Sequence, residues 1–311
     1  MDFAACGKSG DIDMTSPVNA SAILASKSLL SSVRISQWSA RKVDKAVTAE
    51  INTAKNAETD AGRYNKMLID PKALAPINKA VSEARTLHLE KTLPWQDDGA
   101  RLLPSAAFVD YKIQLETIKR KFDTAVSDFV AAYDVERKAA EKRLGDLFKA
   151  ADYPTQDQVA AKFAFELVFN PVPTAGDFRV TMADAQAEVI RAEIEARAAA
   201  NLQEAMRDVY RRVGDVCERM ADTLTRYKPS RGNDKAEGIF RNSLVTNVTD
   251  LAAVLPTLNI VSDPKLAEIA ERMRANLTRH DADALRENSR LRKDVASEAQ
   301  AILDDIADFI M

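Results

Sequence analysis

The sequence predicts a mainly α-helical protein, an elongated helical bundle of long antiparallel, coiled-coil-like helices with a small β element of short strands. Its 311 residues include only 9 glycines and 11 prolines, fewer than the roughly 7% and 5% of average proteins, which disfavours an all-β or loop-rich fold. A hydrophobic content of 46% is too high for a disordered chain. Apolar residues also recur every three or four positions over two long segments, as on one face of a helix.

The first half of the chain is predicted to alternate short strands with helices. Residues 1–28 show no sustained period and predict a mobile tail. After the tail we expect, in chain order, a strand at 29–38, a helix at 40–60, a helix at 76–91, a brief strand at 101–103 and a long helix at 105–150.

A short helix and an aromatic segment follow the long helix. Thr155-x-x-Gln158 has the form of a capping box, which opens a helix. The segment FAFELVF at 163–169 is either the end of that helix or a buried strand. The alternating aromatic residues and the following Asn-Pro-Val-Pro favour the strand.

The longest predicted helix begins near Thr181 and keeps its apolar stripe to Tyr227. About 46 residues at 1.5 Å each give a length of about 69 Å, against a diameter near 50 Å for a compact chain of this size. Either Gly214 bends this helix or it forms a coiled-coil arm, and we favour the arm. The stripe fits packing within the chain equally well as packing against a second copy, so a homo-oligomer remains an alternative.

The C-terminal part is predicted to be helical throughout. A polar hinge at 228–234 precedes a helix at 240–255, another that begins at Pro264 after the capping residue Asp263, and a last one from Asp281 almost to the C-terminus. The predicted domains are a tail at 1–28, a helical domain with short strands at 29–180, and a long-helix and C-terminal helical region at 181–311.

Charge and composition exclude several classes of protein. The 44 basic and 47 acidic residues give a net charge of −3, which is not the basic composition of a dedicated nucleic-acid-binding protein. No stretch of about 18 uncharged apolar residues is available to span a membrane. The N-terminus lacks the features of a signal peptide, and two cysteines make no disulfide framework. We therefore expect a cytoplasmic protein without a membrane partner.

Catalytic and metal-binding motifs are missing from the sequence. The segment Gly7-Lys8-Ser9 resembles the end of a phosphate-binding loop, but Asp2 stands where that motif requires glycine. His88 and His280 lie far apart and outside any zinc or di-metal spacing. We expect His88 on a polar helix face and Cys217 in the core. No catalytic, cofactor-binding or metal-binding residue is predicted, and the protein is not expected to be an enzyme.

One basic cluster is a candidate for nucleic-acid binding, because the planar guanidinium of arginine can bind two phosphate oxygens. Its members are Arg207, Arg211, Arg212, Arg219, Arg226, Lys228 and Arg231. Acidic residues such as Glu204 and Asp208 lie three or four positions away on the same predicted helix. A solvated face of ion pairs is therefore the favoured interpretation.

The aromatic segment also allows two interpretations. Phe163, Phe165 and Phe169 can stack on the bases of a single-stranded nucleic acid. They can equally fill the core where the strand meets the long helices, and we favour the core.

Three segments carry a resemblance to a known family: VRISQWSARKVDKA at 33–46, the helix at 111–134, and YPTQDQVAAKFAFELVF at 153–169. Over about residues 29–260 the chain resembles a family of uncharacterised phage and bacterial proteins. Members are often encoded beside a MoxR-type AAA+ ATPase and a von Willebrand A-like, cobaltochelatase-type protein. The resemblance implies an accessory role beside an ATPase and supplies no functional residue.

These observations lead to three hypotheses about function. The first is a non-enzymatic phage adaptor or scaffold that acts with a AAA+ ATPase or another multiprotein assembly. The second is a nucleic-acid-binding protein in phage DNA metabolism that uses the basic helix face. The third is an inhibitor of a host defence protein.

Overall fold

Helices account for 69% of the residues that the computed structural model describes, which confirms the mainly α-helical prediction. The structure describes residues 20–96, 99–177, 184–229, 238 and 240–310. Within these residues the helices α1 to α10 are, in chain order, Ala20–Lys27, Lys45–Ala54, Ala75–Lys91, Phe108–Leu144, Gln156–Ala160, Asp184–Arg226, Ser243–Leu258, Pro264–Arg272, Ala282–Glu287 and Ser289–Ile310. The strands β1 to β6 are Ser28–Ser36, Arg41–Val43, Asn65–Met67, Leu93–Pro94, Arg101–Pro104 and Ala164–Pro171.

The strands form two small sheets. One has four strands in the order β4-β5-β1-β6, with β4 and β5 antiparallel and Leu93 opposite Leu102. The other is the antiparallel pair β2 and β3, with Arg41 opposite Met67. The second pair was not expected from the sequence, because three-residue strands are too short to show alternation.

The contacts within the chain divide it into two units. Of the described residues, the first unit contains those up to Leu30, those within Thr92–Ala107 and those from Asn170 onward, and the second contains Ser31–Lys91 and Phe108–Phe169. Each unit is assembled from segments that are distant in sequence. The domains at 1–28, 29–180 and 181–311 stay a prediction from the sequence.

The core of the first unit lies around α6, which packs against α1, α7 and α10. Val213, Cys217 and Met220 of α6 are completely buried there. The core of the second unit lies between α3 and α4, where Leu115, Phe122 and Tyr133 of α4 are buried.

Several helix ends differ from the sequence predictions for identifiable reasons. Helix α1 lies inside the predicted tail, where buried Leu24 and a 3.1 Å hydrogen bond from Ser21 N to Glu195 Oε1 stabilise it. The long helix ends at Leu144 rather than near residue 150, because Gly145 adopts a φ of 51°. The predicted last helix is divided in two, because Asn288 Oδ1 accepts hydrogen bonds from two backbone amides and caps α10.

Other predicted ends agree closely with the structure or differ by a few residues. The capping box at Thr155 and Gln158 is present, and the aromatic segment forms β6. Asp263 caps α8 with Pro264 in the first turn. The helix predicted at 40–60 is confined to α2 after the short strand β2, and α7 continues two residues past Pro256. The remainder of the predicted tail and the Gly7-Lys8-Ser9 segment lie outside the described residues.

Helix α6 is continuous through Gly214. Its 43 residues correspond to about 65 Å. A Cβ atom at position 214 would lie 2.8 Å from Ile310 Cδ1 and 3.8 Å from Ile306 Cδ1 of α10. Gly214 therefore accommodates the close approach of α10 in the same chain.

We expect Gly214→Ala to change the free energy of unfolding by less than about 1 kcal/mol, because alanine favours the helix by about that amount and the Ile310 terminus can rotate away. Gly214→Leu should lower the free energy of unfolding by about 1–3 kcal/mol through overpacking. Urea denaturation of both variants tests this. Equal stability of the leucine variant and the wild type would contradict the close packing.

Candidate interaction groove

The C-terminal half of α6 and the helix α10 form a groove in the first unit. The two helices run antiparallel, since Gly214 approaches Ile310 and the Arg292 guanidinium lies 5.4 Å from the Tyr227 ring centroid. The groove has a volume of about 1020 Å³ and is lined by residues from Glu218 to Tyr227 and from Ser289 to Asp304. We call it the α6–α10 groove. Its volume is at the upper end of the range typical of ligand sites.

Charged side chains of both signs line the α6–α10 groove. The basic ones are Arg219, Arg226, Arg292 and Lys293, and the acidic ones are Glu218, Asp222 and Asp304. Arg226 pairs with Asp222 at 2.8 Å. Arg219 and Lys293 are exposed, and neither has an ion pair or side-chain hydrogen bond in the structure as described. The groove therefore presents two uncompensated cations.

Arg292 is the buried basic residue of the groove, with 6% of its surface exposed. Its Nη1 donates to the carbonyl oxygens of Leu285 at 2.9 Å and Arg286 at 2.8 Å, which orders the end of α9. Its guanidinium also lies over the Tyr227 ring. Among the described residues no carboxylate forms an ion pair with it, so it contributes a positive charge to the wall of the groove.

The first three arginines of the predicted basic face form ion pairs along their own helix. Arg207 and Arg211 contact Glu204 at 3.1 and 3.4 Å. Arg212 contacts Asp208 at 2.7 Å and donates to the Thr92 carbonyl oxygen at 2.7 Å. This arrangement agrees with the favoured interpretation of a solvated face of ion pairs.

The remaining residues of the predicted basic cluster lie in the groove, next to it, or outside the described residues. Arg219 and Arg226 line the groove, whereas Lys228 follows the end of α6 and is exposed. Arg231 lies outside the described residues. Sequence reasoning missed Arg292 and Lys293, although the sequence Arg290-Leu-Arg-Lys shows a basic run near the start of α10.

His88 is not on a polar face as predicted but is buried in the second unit, with 8% exposed. Its Nδ1 lies 2.7 Å from Tyr111 Oη, which lies 2.9 Å from Ser31 Oγ. The prediction was wrong because the α3 surface next to α4 includes His88, and its polar atom has a partner there.

The core prediction is confirmed for Phe165, whereas Phe163 and Phe169 are half-buried. Phe165 is buried against Phe122, with ring centroids 5.6 Å apart, and Phe163 packs on Phe129 at 6.0 Å. Phe169 packs on Phe108 at 5.0 Å. Each of the three rings of β6 and its preceding turn therefore packs against a ring of α4, which supports the core interpretation.

Cys217 is completely buried. Burial raises the pKa of its thiol to about 12, so at neutral pH it is a neutral small hydrophobic residue.

A second group of charges is buried in the second unit. Lys66 of β3 has 2% of its side chain exposed, and its Nζ lies 3.0 Å from Asp44 Oδ2 and 2.5 Å from Asp152 Oδ2. It also donates to the Leu147 carbonyl oxygen at 2.9 Å. Lys42 approaches Asp152 from the exposed side at 2.7 Å. We call this set the Lys66 cluster; it ties β2, β3 and the turns after α4 together.

Within the Lys66 cluster, each shifted pKa differs from its ordinary value in the direction that favours the charged form of the group. The hydrogen bond from Lys66 lowers the pKa of Asp44. Burial alone would raise the pKa of Asp152, but Lys42 and Lys66 outweigh it and lower that pKa. Burial alone would lower the pKa of Lys66, but the two carboxylates outweigh it and raise that pKa. The cluster is therefore fully ionised near neutral pH.

The described residues lack two features that would point to other functions. They contain no group of three or more His, Cys, Asp or Glu side chains placed to hold a metal ion. None of their helices combines the length and apolar character that crossing a membrane requires. Comparison of the chain with protein-family models, curated proteins and solved structures gives no match.

Proposed function

We propose that the protein is a non-enzymatic adaptor that binds an acidic segment of a partner protein in the α6–α10 groove. The observation that carries this proposal is the pair of uncompensated cations there, exposed Arg219 and Lys293, beside the buried guanidinium of Arg292. The helices α6 and α10 place these residues on the two sides of the groove, and an acidic peptide supplies the carboxylates that Arg219 and Lys293 lack.

The mixed charge of the groove favours a protein over a nucleic acid. Glu218, Asp222 and Asp304 line it together with the basic residues, and they would repel the uniformly negative phosphate backbone. A peptide can place carboxylates near Arg219 and Lys293, and neutral or basic groups near the acidic residues. Apolar wall residues such as Leu224 and Leu303 also suit side chains of a peptide.

The family resemblance extends the proposal to the class of partner. It implies that the partner is a AAA+ ATPase or a component of an assembly that contains one. The long helix α6 supports a scaffolding role because it carries the groove at one end and contacts α1 elsewhere along its length. The elongated shape and the coiled-coil-like pairing belong to this proposal, and small-angle X-ray scattering of the purified protein measures them.

The proposal is tested by affinity capture with a charge-reversed groove. The variant Arg219→Glu with Lys293→Glu places two acidic residues in the groove at exposed positions, so it should fold normally. Tagged wild-type protein and this variant are expressed in the cells that make the protein, and the nuclease-treated eluates are compared by quantitative mass spectrometry. We expect at least about a tenfold loss of the bound partner from the variant, since two charge-assisted contacts become repulsive.

Lys79→Glu with Arg85→Glu is the matched control. Both residues are exposed on α3 and lack ion pairs in the described part of the chain, and the net charge changes equally. Retention of the same partner by the control and its loss from the groove variant support the adaptor. Equal recovery from all three proteins, or recovery that nuclease abolishes, would overturn it.

A further inference from the structure

A second cavity lies in the second unit, beside α2. The segment from Arg41 to Met67 folds as β2, α2, a loop and β3. The helix and the loop border an open cavity of about 520 Å³, which we call the α2 pocket. Its lining residues are Val43, Lys45, Thr48, Ala49, Asn52, Thr53, Ala57, Thr59, Gly62 and Arg63.

The charge of the α2 pocket has one sign. Lys45 and Arg63 line it, and no acidic side chain among the described residues does, although Glu58 and Asp60 belong to the same loop. Neither Lys45 nor Arg63 forms an ion pair or a side-chain hydrogen bond with any described residue. The α2 pocket therefore differs from the α6–α10 groove, in which acidic and basic residues alternate.

Polar groups that accept hydrogen bonds also line the α2 pocket. Asn52 is buried, with 8% exposed, and its Nδ2 donates to the Thr59 carbonyl oxygen at 3.2 Å. That bond fixes the side chain against the loop, and the Oδ1 atom accepts no hydrogen bond from the residues described. The hydroxyl groups of Thr53 and Thr59 have no partner among those residues either. An acceptor atom that is fixed in position, such as Asn52 Oδ1, suits a ligand hydroxyl group, which can donate a hydrogen bond to it.

The shape of the α2 pocket is fixed by contacts on each side. Asp44 caps α2 by accepting from the backbone N–H groups of Ala46 and Val47. Thr48 Oγ1 donates to the Asp44 carbonyl oxygen at 2.6 Å and accepts from Tyr64 N at 3.0 Å. The buried contact of Lys66 with Asp44 then anchors the same end of α2. The pocket is thus formed before any ligand binds, which reduces the entropic cost of binding.

We propose that the α2 pocket binds a small phosphorylated polyol, a compound that carries one phosphate monoester and several hydroxyl groups. Lys45 and the planar guanidinium of Arg63 take the phosphate. Asn52 Oδ1 and the hydroxyl groups of Thr53 and Thr59 take the ligand hydroxyls. The residues that the structure describes in the lining include no aromatic ring on which a base would stack, and the volume of the pocket suits a sugar phosphate.

Calorimetric titration of the full-length protein with ribose 5-phosphate, ribose and inorganic phosphate tests the proposal. The variant Lys45→Gln with Arg63→Gln removes the two cations at exposed positions. Lys55→Gln with Lys72→Gln is the control, because it removes the same charge from exposed positions outside the pocket. We expect saturable binding of ribose 5-phosphate to the wild type and the control, and about tenfold weaker binding to the pocket variant.

The two simpler compounds separate the contributions of charge and hydroxyl groups. Ribose should not bind measurably, and inorganic phosphate should bind more weakly than ribose 5-phosphate. The proposal would be overturned by no saturable binding up to about 10 mM ribose 5-phosphate, by equal affinity of the pocket variant and the wild type, or by equal affinity for phosphate and ribose 5-phosphate. These outcomes are independent of the adaptor test, since the two sets of substituted residues do not overlap.

Discussion

Lys66→Ala should lower the free energy of unfolding by about 1–3 kcal/mol, because it removes the shared partner of two carboxylates that have little exposed surface. Asp44 and Asp152 both contact Lys66 Nζ, and neither side chain is more than 9% exposed. Urea denaturation at pH 7 measures the loss. Lys42→Ala is the control, because Lys42 contacts the same Asp152 but is 50% exposed, and an exposed pair contributes about 0–1 kcal/mol. Equal losses in the two variants would contradict the buried cluster.

We also expect Lys66→Ala to change how the free energy of unfolding depends on pH. The pKa values of Asp44 and Asp152 are lowered in the folded protein, so the stability that these groups contribute is present above their unfolded pKa, about 3.9, and is lost as the pH falls through the folded values. In Lys66→Ala the two carboxylates lose their shared cation, although Asp152 keeps Lys42 and Asp44 keeps its contacts with the α2 N-terminus, so protonating them costs the variant less stability. The difference in stability between the wild type and the variant should therefore narrow below about pH 4. A constant or widening difference would contradict the assignment.

Phe122→Ala should lower the free energy of unfolding by about 3–5 kcal/mol, the usual effect of truncating a buried phenylalanine. Its side chain is 2% exposed and packs edge-on against Phe165. Thermal and urea denaturation measure the loss. Val109→Ala on the same helix is the control, since Val109 is 66% exposed and should change stability by no more than about 0.5 kcal/mol.

Comparison of Phe122→Ala with Phe165→Ala separates the two interpretations of the aromatic segment, core packing and base stacking. If Phe165 belongs to the core, Phe165→Ala should likewise destabilise the protein, because it empties the space beside Phe122. If the aromatic residues of β6 instead stack on bases, Phe165→Ala should leave the stability unchanged and weaken binding of a single-stranded oligonucleotide. Stability losses at both positions without a change in oligonucleotide binding are the outcome that the packing predicts.

Long apolar stripes and local caps made much of the helical fold predictable. The stripe of α6 and the caps at Thr155 and Asp263 depend on residues within one or two turns. The strand β2 and the helix α1 were missed because short elements carry little pattern and are stabilised by distant partners, such as Glu195 for α1. Local propensity is overridden by tertiary contacts in such segments.

The candidate sites were less predictable because they depend on which helices meet. Arg219 and Arg226 were identified from α6 alone, but the α6–α10 groove also requires Arg292 and Lys293, more than 60 positions later in the chain. Lys45 and Arg63 both line the α2 pocket because the loop between α2 and β3 folds back beside the helix. No local sequence motif indicates that this loop does so. In both sites the sequence shows that basic residues are available, but it does not show which of them lie close together in the fold.

Site-specific photo-crosslinking from the α6–α10 groove tests the adaptor most directly. A benzoylphenylalanine residue replaces Thr225, which is exposed and lines the groove, and a second protein carries it at exposed Lys79 of α3 as the control. Irradiation in living cells should give a covalent product at position 225 that protease destroys, that nuclease leaves intact and that is absent at position 79. Its intensity should fall in the Arg219→Glu, Lys293→Glu background. A nuclease-sensitive product, or no product that differs between the two positions, would contradict the account.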